Sequence, residues 1–572
     1  NLQNLFKKGA KQNMATKKEG KFTFTNLPKD LEAGYFNCSF DTPNPGLRAY
    51  FEHVRSGNDE EYRTTFFKGK TLEEILSGWD STLDQIGEQW PSLLEFEKDL
   101  RKKVGPMSIM RPLQERMDDI DSYYESILLD SKPISDAALR ATVDWFKSLR
   151  GLRLRSEDRT VELMKKSTNS GSPFFTKRKT VVNKTVPSRV TVQYDHEQNI
   201  PVVLQWLDCL PSGGRQYSAC AVLGWRGQEG GPTPDDVKQR VVWMFPFAVN
   251  IAELQLYQPL IEGCQNLNLV PAWVGMEKVD EEITHMFDTK GEDDLVVCTD
   301  FSKFDQHFNS DMQRAAHYVL QNLLEDSAES KRWLDEVFPI KYEIPLAYDY
   351  GKVAFGRHGM GSGSGGTNAD ETLVHRALQY EAALSHGSEL NPHSQCLGDD
   401  GLLTYPGITV EDVVQTYSSH GQEMNLDKQY ASKQDCTYLR RWHHKDYRVN
   451  NVCVGVYSTY RALGRLAEQE RFYDPETWGP EMVALRQLSI LENVKWHPLR
   501  EEFVTYCMKG DKYRLGLDLP GFFDNIEAIA KKATDLMPDF LGYTKSLQRE
   551  AREKPVTGIS SWWIVQYLKS LT

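Results

Sequence analysis

The sequence predicts an α+β protein built on a split βαβ core. Three observations predict it. Between residues 295 and 442, short apolar runs and amphipathic stretches follow one another as strand–helix–strand–strand–helix–strand. Apolar residues recur at helical spacing across 71–150 and again from 460 to 572. Residues 167–235 are rich in Gly, Pro, Ser and β-branched side chains, the composition of strands and long loops.

In chain order, residues 1–45 are polar and end in Asp41-Thr-Pro-Asn-Pro-Gly46, a loop. Leu72, Ile75 and Leu76 share one helical face, as do Leu93, Leu94, Phe96 and Leu100. Thr180-Val-Val and Val190-Thr-Val-Gln-Tyr are strand candidates. Leu295-Val-Val-Cys298 is a short strand that delivers Asp300 at its end, and a helix follows over 310–324. The glycine-rich run Gly359-Met-Gly-Ser-Gly-Ser-Gly-Gly-Thr367 leads into a helix over 367–383. Residues 395–405 read as two short strands joined by a tight Gly398-Asp399-Asp400 turn. A helix over 410–418 precedes Thr437-Tyr-Leu-Arg-Arg-Trp442, the strand that completes the pattern. The remainder is helical, with loops at Tyr473-Asp-Pro and Gly510-Asp-Lys.

Size and composition bound the answer. A chain of 572 residues exceeds one simple core and suggests several domains or subdomains. With 40% apolar and 26% charged residues it reads as soluble and globular. No apolar run approaches the ~18 residues of a membrane span, and the lysine-rich start shows no signal-peptide pattern. Nine scattered cysteines without a Cys-x-x-Cys fit reduced thiols. Cys436, His443, His444 and Cys453 match no standard zinc spacing and read as packing residues. The net charge of −13 means that any affinity for phosphate comes from local patches. Arg150, Arg153, Arg155, Arg159, Lys165 and Lys166 precede Lys177-Arg-Lys179, Lys184 and Arg189 in one such patch. The lysines between Lys7 and Lys21 read as a solvated tail.

The chemistry lies in an ordered set: Asp300-Phe-Ser-Lys-Phe-Asp305, then the glycine loop, then Gly398-Asp399-Asp400. Gly-Asp-Asp alone arises by chance in roughly one such chain in five, so order carries the argument. Neighbouring strand ends can present Asp300 and Asp399 to one pair of divalent cations, with Asp400 as a close third group. Asp305, five residues past Asp300, can face a ribose.

At these residues the chain resembles viral RNA-dependent RNA polymerases of the right-hand type, most of all those of picobirnaviruses, with partitivirus polymerases next. Asp300-x4-Asp305 resembles that family's motif A, Ser362-Gly363-x3-Thr367 its motif B, and Gly398-Asp-Asp400 its motif C. Lys428 sits where the motif D lysine acts as general acid towards pyrophosphate, and Thr437-Tyr-Leu-Arg-Arg441 resembles motif E, which supports the primer strand. Upstream, Lys238-Gln-Arg240 resembles motif F, which holds the triphosphate, and Thr168-Asn-Ser-Gly-Ser-Pro173 resembles motif G, which guides the template. The motifs keep the family's order across 168–441. One position departs: where relatives carry Asn as the partner of Asp305 in ribose selection stands Glu371, with Asn368 and Asp370 nearby, so Thr367 is expected to take more of the 2′-hydroxyl contact.

The resemblance implies an encircled right hand with a ferredoxin-like palm. Residues 1–95 would bridge fingers and thumb, 96–290 and an insertion at 326–355 would form fingers, 291–325 and 356–445 palm, and 446–572 thumb and C-terminal loop. It implies Mg²⁺ or Mn²⁺ on Asp300, Asp399 and Asp400; nucleotide contacts from Lys238, Arg240, Asp305, Ser362, Thr367 and Asn368; and RNA contacts from Ser170, Gly171, Gly363, Arg440 and Arg441. It also implies single- and double-stranded RNA and ribonucleoside triphosphates as partners, a capsid protein, no membrane, and work inside the virion or host cytoplasm on a double-stranded RNA genome. Synthesis would start without a primer. The loop over 510–525, with Tyr513, Phe522 and Phe523, reads as a flexible aromatic platform that could enter the active-site cavity.

Other readings fail on particular residues. Gly361-x-Gly363-x2-Gly366 matches a dinucleotide fingerprint, but His386 stands where an acidic residue is required. Gly69-Lys70-Thr71 lacks the phosphate-loop glycine, since Thr64 occupies that position. A non-enzymatic RNA-binding or capsid protein has no use for the acidic pair. A reverse transcriptase would share the palm chemistry, and the motif F and G matches favour RNA.

Overall fold

The computed structural model describes residues 16–18, 21–24, 45–195, 200–210, 213–536 and 558–572. The lysine-rich start and the loop at 41–46 fall largely outside these residues. Period-2 alternation builds the first sheet. Strands β1 (Ala221–Gln228) and β2 (Lys238–Met244) pair antiparallel from Val222↔Met244 to Gln228↔Lys238. Four further strands, Leu346–Asp349, Lys352–Phe355, Lys21–Phe24 and Thr16–Lys18, extend the sheet beyond β1. On β2, Lys238 and Arg240 are exposed on one face. Gln239 turns to the other, where it donates to the Ile109 carbonyl and accepts from Trp225 Nε1.

Arg189–Asp195, Ile200–Leu210 and Gly213–Ala219 form a separate three-stranded sheet that contains the expected Val190–Tyr194 strand. Thr180-Val-Val is not a strand. It straddles a 3₁₀ turn and a helical turn, Val182–Thr185, while Val181 anchors an apolar cluster with Val161, Met164, Phe247 and Ile251. Helix α1 (Phe247–Leu267) follows β2. It is buried on most sides, with Asn250, Glu253, Gln258 and Gln265 among its enclosed residues.

The central core then unfolds in sequence: β3 (Val296–Thr299), α2 (Ser310–Leu323), α3 (Thr367–Ser385), β4 (Gln395–Leu397), β5 (Asp400–Leu403), α4 (Val410–Ser419) and β6 (Tyr430–Ser432). The strands run antiparallel in the order β4-β5-β3-β6. Helix α3 packs on α2, α4 and β4. The order of types is the expected one, but the closing strand is β6. Residues 437–442 instead belong to a separate sheet of β7 (Asp435–Tyr438), β8 (Arg441–His444) and β9 (Val456–Tyr457). The cause is local: Leu439 and Arg440 have φ of 51° and 62°. Two consecutive left-handed residues make a type I′ turn, so the run folds back on itself as a hairpin.

A second core joins the two ends of the chain. Helices Leu72–Leu83 and Pro91–Arg101 pack with α5 (Thr459–Ala467), Pro480–Leu491, Arg500–Lys509 and Ile526–Leu536. Trp79 Nε1 donates to Thr459 Oγ1 at 2.9 Å, and fully buried Glu97 accepts from the Thr459 amide at 3.0 Å. The 510–525 segment is part of this core and not a free platform. Leu515 and Phe522 are buried in it and Phe523 packs against it, because the apolar side chains gain more from burial than from solvent. His443, Cys436 and Cys453 are packing residues, with His443 Nδ1 facing the Cys453 carbonyl at 3.1 Å. Among the described residues no helix is long and apolar enough to cross a membrane.

Candidate active site

The site grows from one register. Thr299 on β3 pairs with Gly401 on β5, which brings Asp300, one residue beyond, alongside Asp400. The β4–β5 hairpin turns through Gly398 (φ 58°) and Asp399, with Leu397 opposite Asp400. A left-handed first turn residue favours glycine. Helix α3 holds this turn: Thr372 Oγ1 accepts from the Gly398 amide at 2.9 Å, and His375 Nδ1 meets the Gly398 carbonyl at 2.8 Å. Burial draws His375 down to about 4, so the ring is neutral and its Nδ1–H donates. Gln429 fixes the other side. Its side-chain amide accepts from the Asp300 N–H at 2.7 Å and donates to the Asp300 carbonyl at 2.9 Å, extending β6 by a mock strand residue.

These elements open on a cavity of about 480 Å³. Asp300, Asp399, Asp400 and Lys428 line one side, Lys238 and Arg240 come from β2, Arg440 from the β7–β8 turn, and Arg461 and Arg465 from α5. Burial raises the Asp399 carboxyl, with Asp305 adding to it. Burial and then Asp399 bring Asp400 up to about 7, against the Leu439 amide, which donates to Asp400 Oδ2 at 2.8 Å. Burial, with Lys103 and Arg240 beside it, draws Lys238 below its ordinary value. Carboxyls pushed up and a lysine pushed down share one cause, removal from water, and this marks the cavity as a functional-site candidate.

The donor set suits a hard divalent cation: carboxylate oxygens only, crowded enough to resist ionisation. Among the described residues no three His, Cys, Asp or Glu side chains converge closely enough to enclose an ion.

The glycine loop lies behind this cavity. Met360 N donates to the Asp305 carbonyl at 2.9 Å, tying loop to acid. A Cβ on Gly363 would stand 1.7 Å from the Trp243 carbonyl, so close approach to β2 is what demands glycine there. Ser362 Oγ accepts from the Trp243 amide at 3.3 Å. Thr367 Oγ1 donates to the Gly361 carbonyl at 3.1 Å, and its hydroxyl is thereby engaged within the loop. Asn368 accepts from Trp273 Nε1 at 2.8 Å and stands beside the Gly398 turn. Glu371 hydrogen-bonds Asp305, and burial together with Asp305 pushes its carboxyl well up. Glu253 on α1 clasps the loop: it accepts from the Gly365 amide at 3.1 Å and from Ser364 Oγ.

Other expected contacts lie elsewhere. Ser170 and Gly171 are buried against the start of α1, where Phe247 N donates to the Ser170 carbonyl at 2.8 Å. Arg441 pairs with Asp280 at 2.9 Å and is 10% exposed, away from the cavity. Arg440 is the second residue of the β7–β8 turn, whereas Arg441 opens β8, and only Arg440 lines the cavity. Sequence reasoning missed Glu229, Gln429, His375, Arg461 and Arg465. Only Gln429, next to Lys428, lay within a motif already singled out.

Comparison with known proteins agrees with this geometry. A family model described as viral RNA-dependent RNA polymerase matches residues 235–453. The potential RNA-dependent RNA polymerase of a human picobirnavirus (strain Human/Thailand/Hy005102/-) is 64% identical over 533 residues, 93% of this chain and 98% of that one. The crystal structure of the RNA-dependent RNA polymerase of a human picobirnavirus superposes with a TM-score of 0.89 at 61% identity, covering 96% of this chain and all of that one. An insertion-loop deletion mutant of such a polymerase gives 0.87 at 60% identity, with the same coverage.

Proposed function

The chain belongs to the viral RNA-dependent RNA polymerases, in company with those of picobirnaviruses, and from that premise we propose that Asp300, Asp399 and Asp400 form its catalytic centre. The observation that carries this reading is the shared cavity: three carboxylates, Lys238 and Arg240 line the same space. Two Mg²⁺ or Mn²⁺ ions held by these aspartates would activate the 3′-hydroxyl and neutralise the departing pyrophosphate. The new bond joins the 3′-oxygen to the α-phosphorus, and the bond to the β-phosphate oxygen breaks.

Lys238 and Arg240 hold the triphosphate, Arg240 in a bidentate manner. Gln228 Oε1 accepts from Arg240 Nε at 2.7 Å and orients it. Lys428 gives a proton to the leaving pyrophosphate. Asp305, braced by Glu371, reads the ribose 2′-hydroxyl. Ser362, Thr367 and Asn368 act on template and ribose through the loop they stiffen, and Arg440 meets the RNA backbone. The β3–β6 sheet is the palm, the β1–β2 region with α1 the fingers, and the α5 layer the thumb. The helices over 72–101 bridge to it in an encircled hand. Synthesis starts without a primer in this reading. Replication and transcription of a double-stranded genome inside the virion, beside a capsid protein, complete the reading. Incorporation of labelled ribonucleotide on single-stranded RNA tests it: synthesis is expected with Mg²⁺ or Mn²⁺, and its absence under primed and unprimed conditions alike would contradict it.

A further inference from the structure

Inside a cavity meant for phosphates stands a carboxylate that no part of the reaction uses. Glu229 follows β1 and lines the cavity with its side chain 11% exposed. It pairs with Arg461 from α5 and lies 3.7 Å from Arg440 at the tip of the β7–β8 turn. Burial works to raise this carboxyl, yet Arg461, Arg440 and Arg465 together hold it below its ordinary value. It is therefore an anion gripped by cations from two other elements. Arg461 is 12% exposed and its Nε has no hydrogen-bond partner, so its guanidinium is only partly satisfied by Glu229.

We propose that Glu229 occupies a phosphate subsite formed by Arg440 and Arg461, and that a phosphate of the substrate displaces it on binding. Carboxylate and phosphate present similar oxygen pairs to a guanidinium, so one can stand in for the other. The latch gives the buried guanidinium of Arg461, which also meets Tyr457, a counter-charge before substrate arrives, while half-exposed Arg440 stays close by. It also ties the end of the fingers hairpin to palm and thumb until the substrate arrives. The phosphate has two possible sources, an RNA backbone or a nucleotide triphosphate. The inference rests on the polymerase reading of this cavity.

The test uses the full chain and two probes without divalent metal: a short single-stranded RNA with a 5′-hydroxyl, and GTP alone. Binding is titrated across a range of KCl for wild type and E229Q. If Glu229 competes, E229Q binds on the order of ten-fold tighter at low salt. The slope of log affinity against log salt then steepens by no more than ~0.7, the increment for one phosphate on single-stranded RNA. Tightening with RNA identifies a backbone phosphate, and tightening with GTP alone identifies the triphosphate. Unchanged or weaker binding of both probes by a folded E229Q overturns the proposal and leaves Glu229 a structural brace. Should E229Q not fold, the charge-matched E229Q/R461Q variant takes its place. That variant is compared with R461Q alone: the pair should bind RNA or GTP more tightly than R461Q, because Arg440 is freed of Glu229, and equal binding by the two would overturn the idea. Ribonucleotide incorporation by wild type is scored separately, so failure of the latch and failure of the polymerase reading are told apart.

Discussion

Arg440 and Arg441 are neighbours with opposite fates. Arg441 forms a buried pair with Asp280 at 2.9 Å, and removing one partner of such a pair strands the other. Arg441→Ala is expected to cost about 3–5 kcal/mol of stability, read by urea unfolding. Arg440→Ala should leave the unfolding midpoint nearly unchanged and weaken RNA binding, read as a shallower salt dependence. Equal effects of the two on stability would contradict this division. Gly363 makes a second residue-scale case. With the Trp243 carbonyl 1.7 Å from a Cβ, Gly363→Ala must shift backbone, at a cost of ~1–3 kcal/mol. A drop in melting temperature, with synthesis falling further than stability, is expected; an unaltered enzyme would show that the loop has slack.

At the scale of elements, short strands join distant segments. Glu468–Gln469 pairs with Tyr62–Arg63, and Glu468 is 1% exposed. Burial and nearby Glu61 raise its carboxyl from 4.5 to about 7, with Arg63 opposing. An acid raised on folding contributes stability that is fully present below pH 4.5 and lost as pH rises through about 7. Glu468→Gln escapes that loss. It should gain on the order of 3 kcal/mol at pH 8 and little at pH 4.5; a gain independent of pH would disprove the assignment. This strand pair was invisible in the sequence, because two residues carry no period. The long helices 310–323, 367–385 and 410–419 were legible within two residues from apolar spacing and loop signals. Strand β6 was not, because its three half-buried residues lack an apolar run, and the closing role fell to 437–442 instead. The turn at Leu439–Arg440 deceived for a related reason: neither residue favours positive φ, and only the fold imposes it. The carboxylates and the β2 cations were legible from motif order. Glu229 and Arg461 were not, since they meet only when the ends of the chain close up.

For the whole molecule, one device shapes the site: the helices over 72–101 share a core with those after 459, which presents α5 and its arginines to the cavity. Trp79 is 1% exposed in that core. Trp79→Ala should cost ~3–5 kcal/mol and loosen the bridge, raising the KM for nucleotide more than it lowers kcat. A purely catalytic defect would count against the bridge. The central claim concerns the acidic centre, and one measurement tests it most directly. Labelled ribonucleotide incorporation on single-stranded RNA with Mg²⁺ or Mn²⁺ is compared for wild type and Asp399→Ala, with RNA binding measured in parallel. Synthesis by wild type, none by the variant, and RNA binding by both are expected. Undiminished synthesis by Asp399→Ala would contradict the claim.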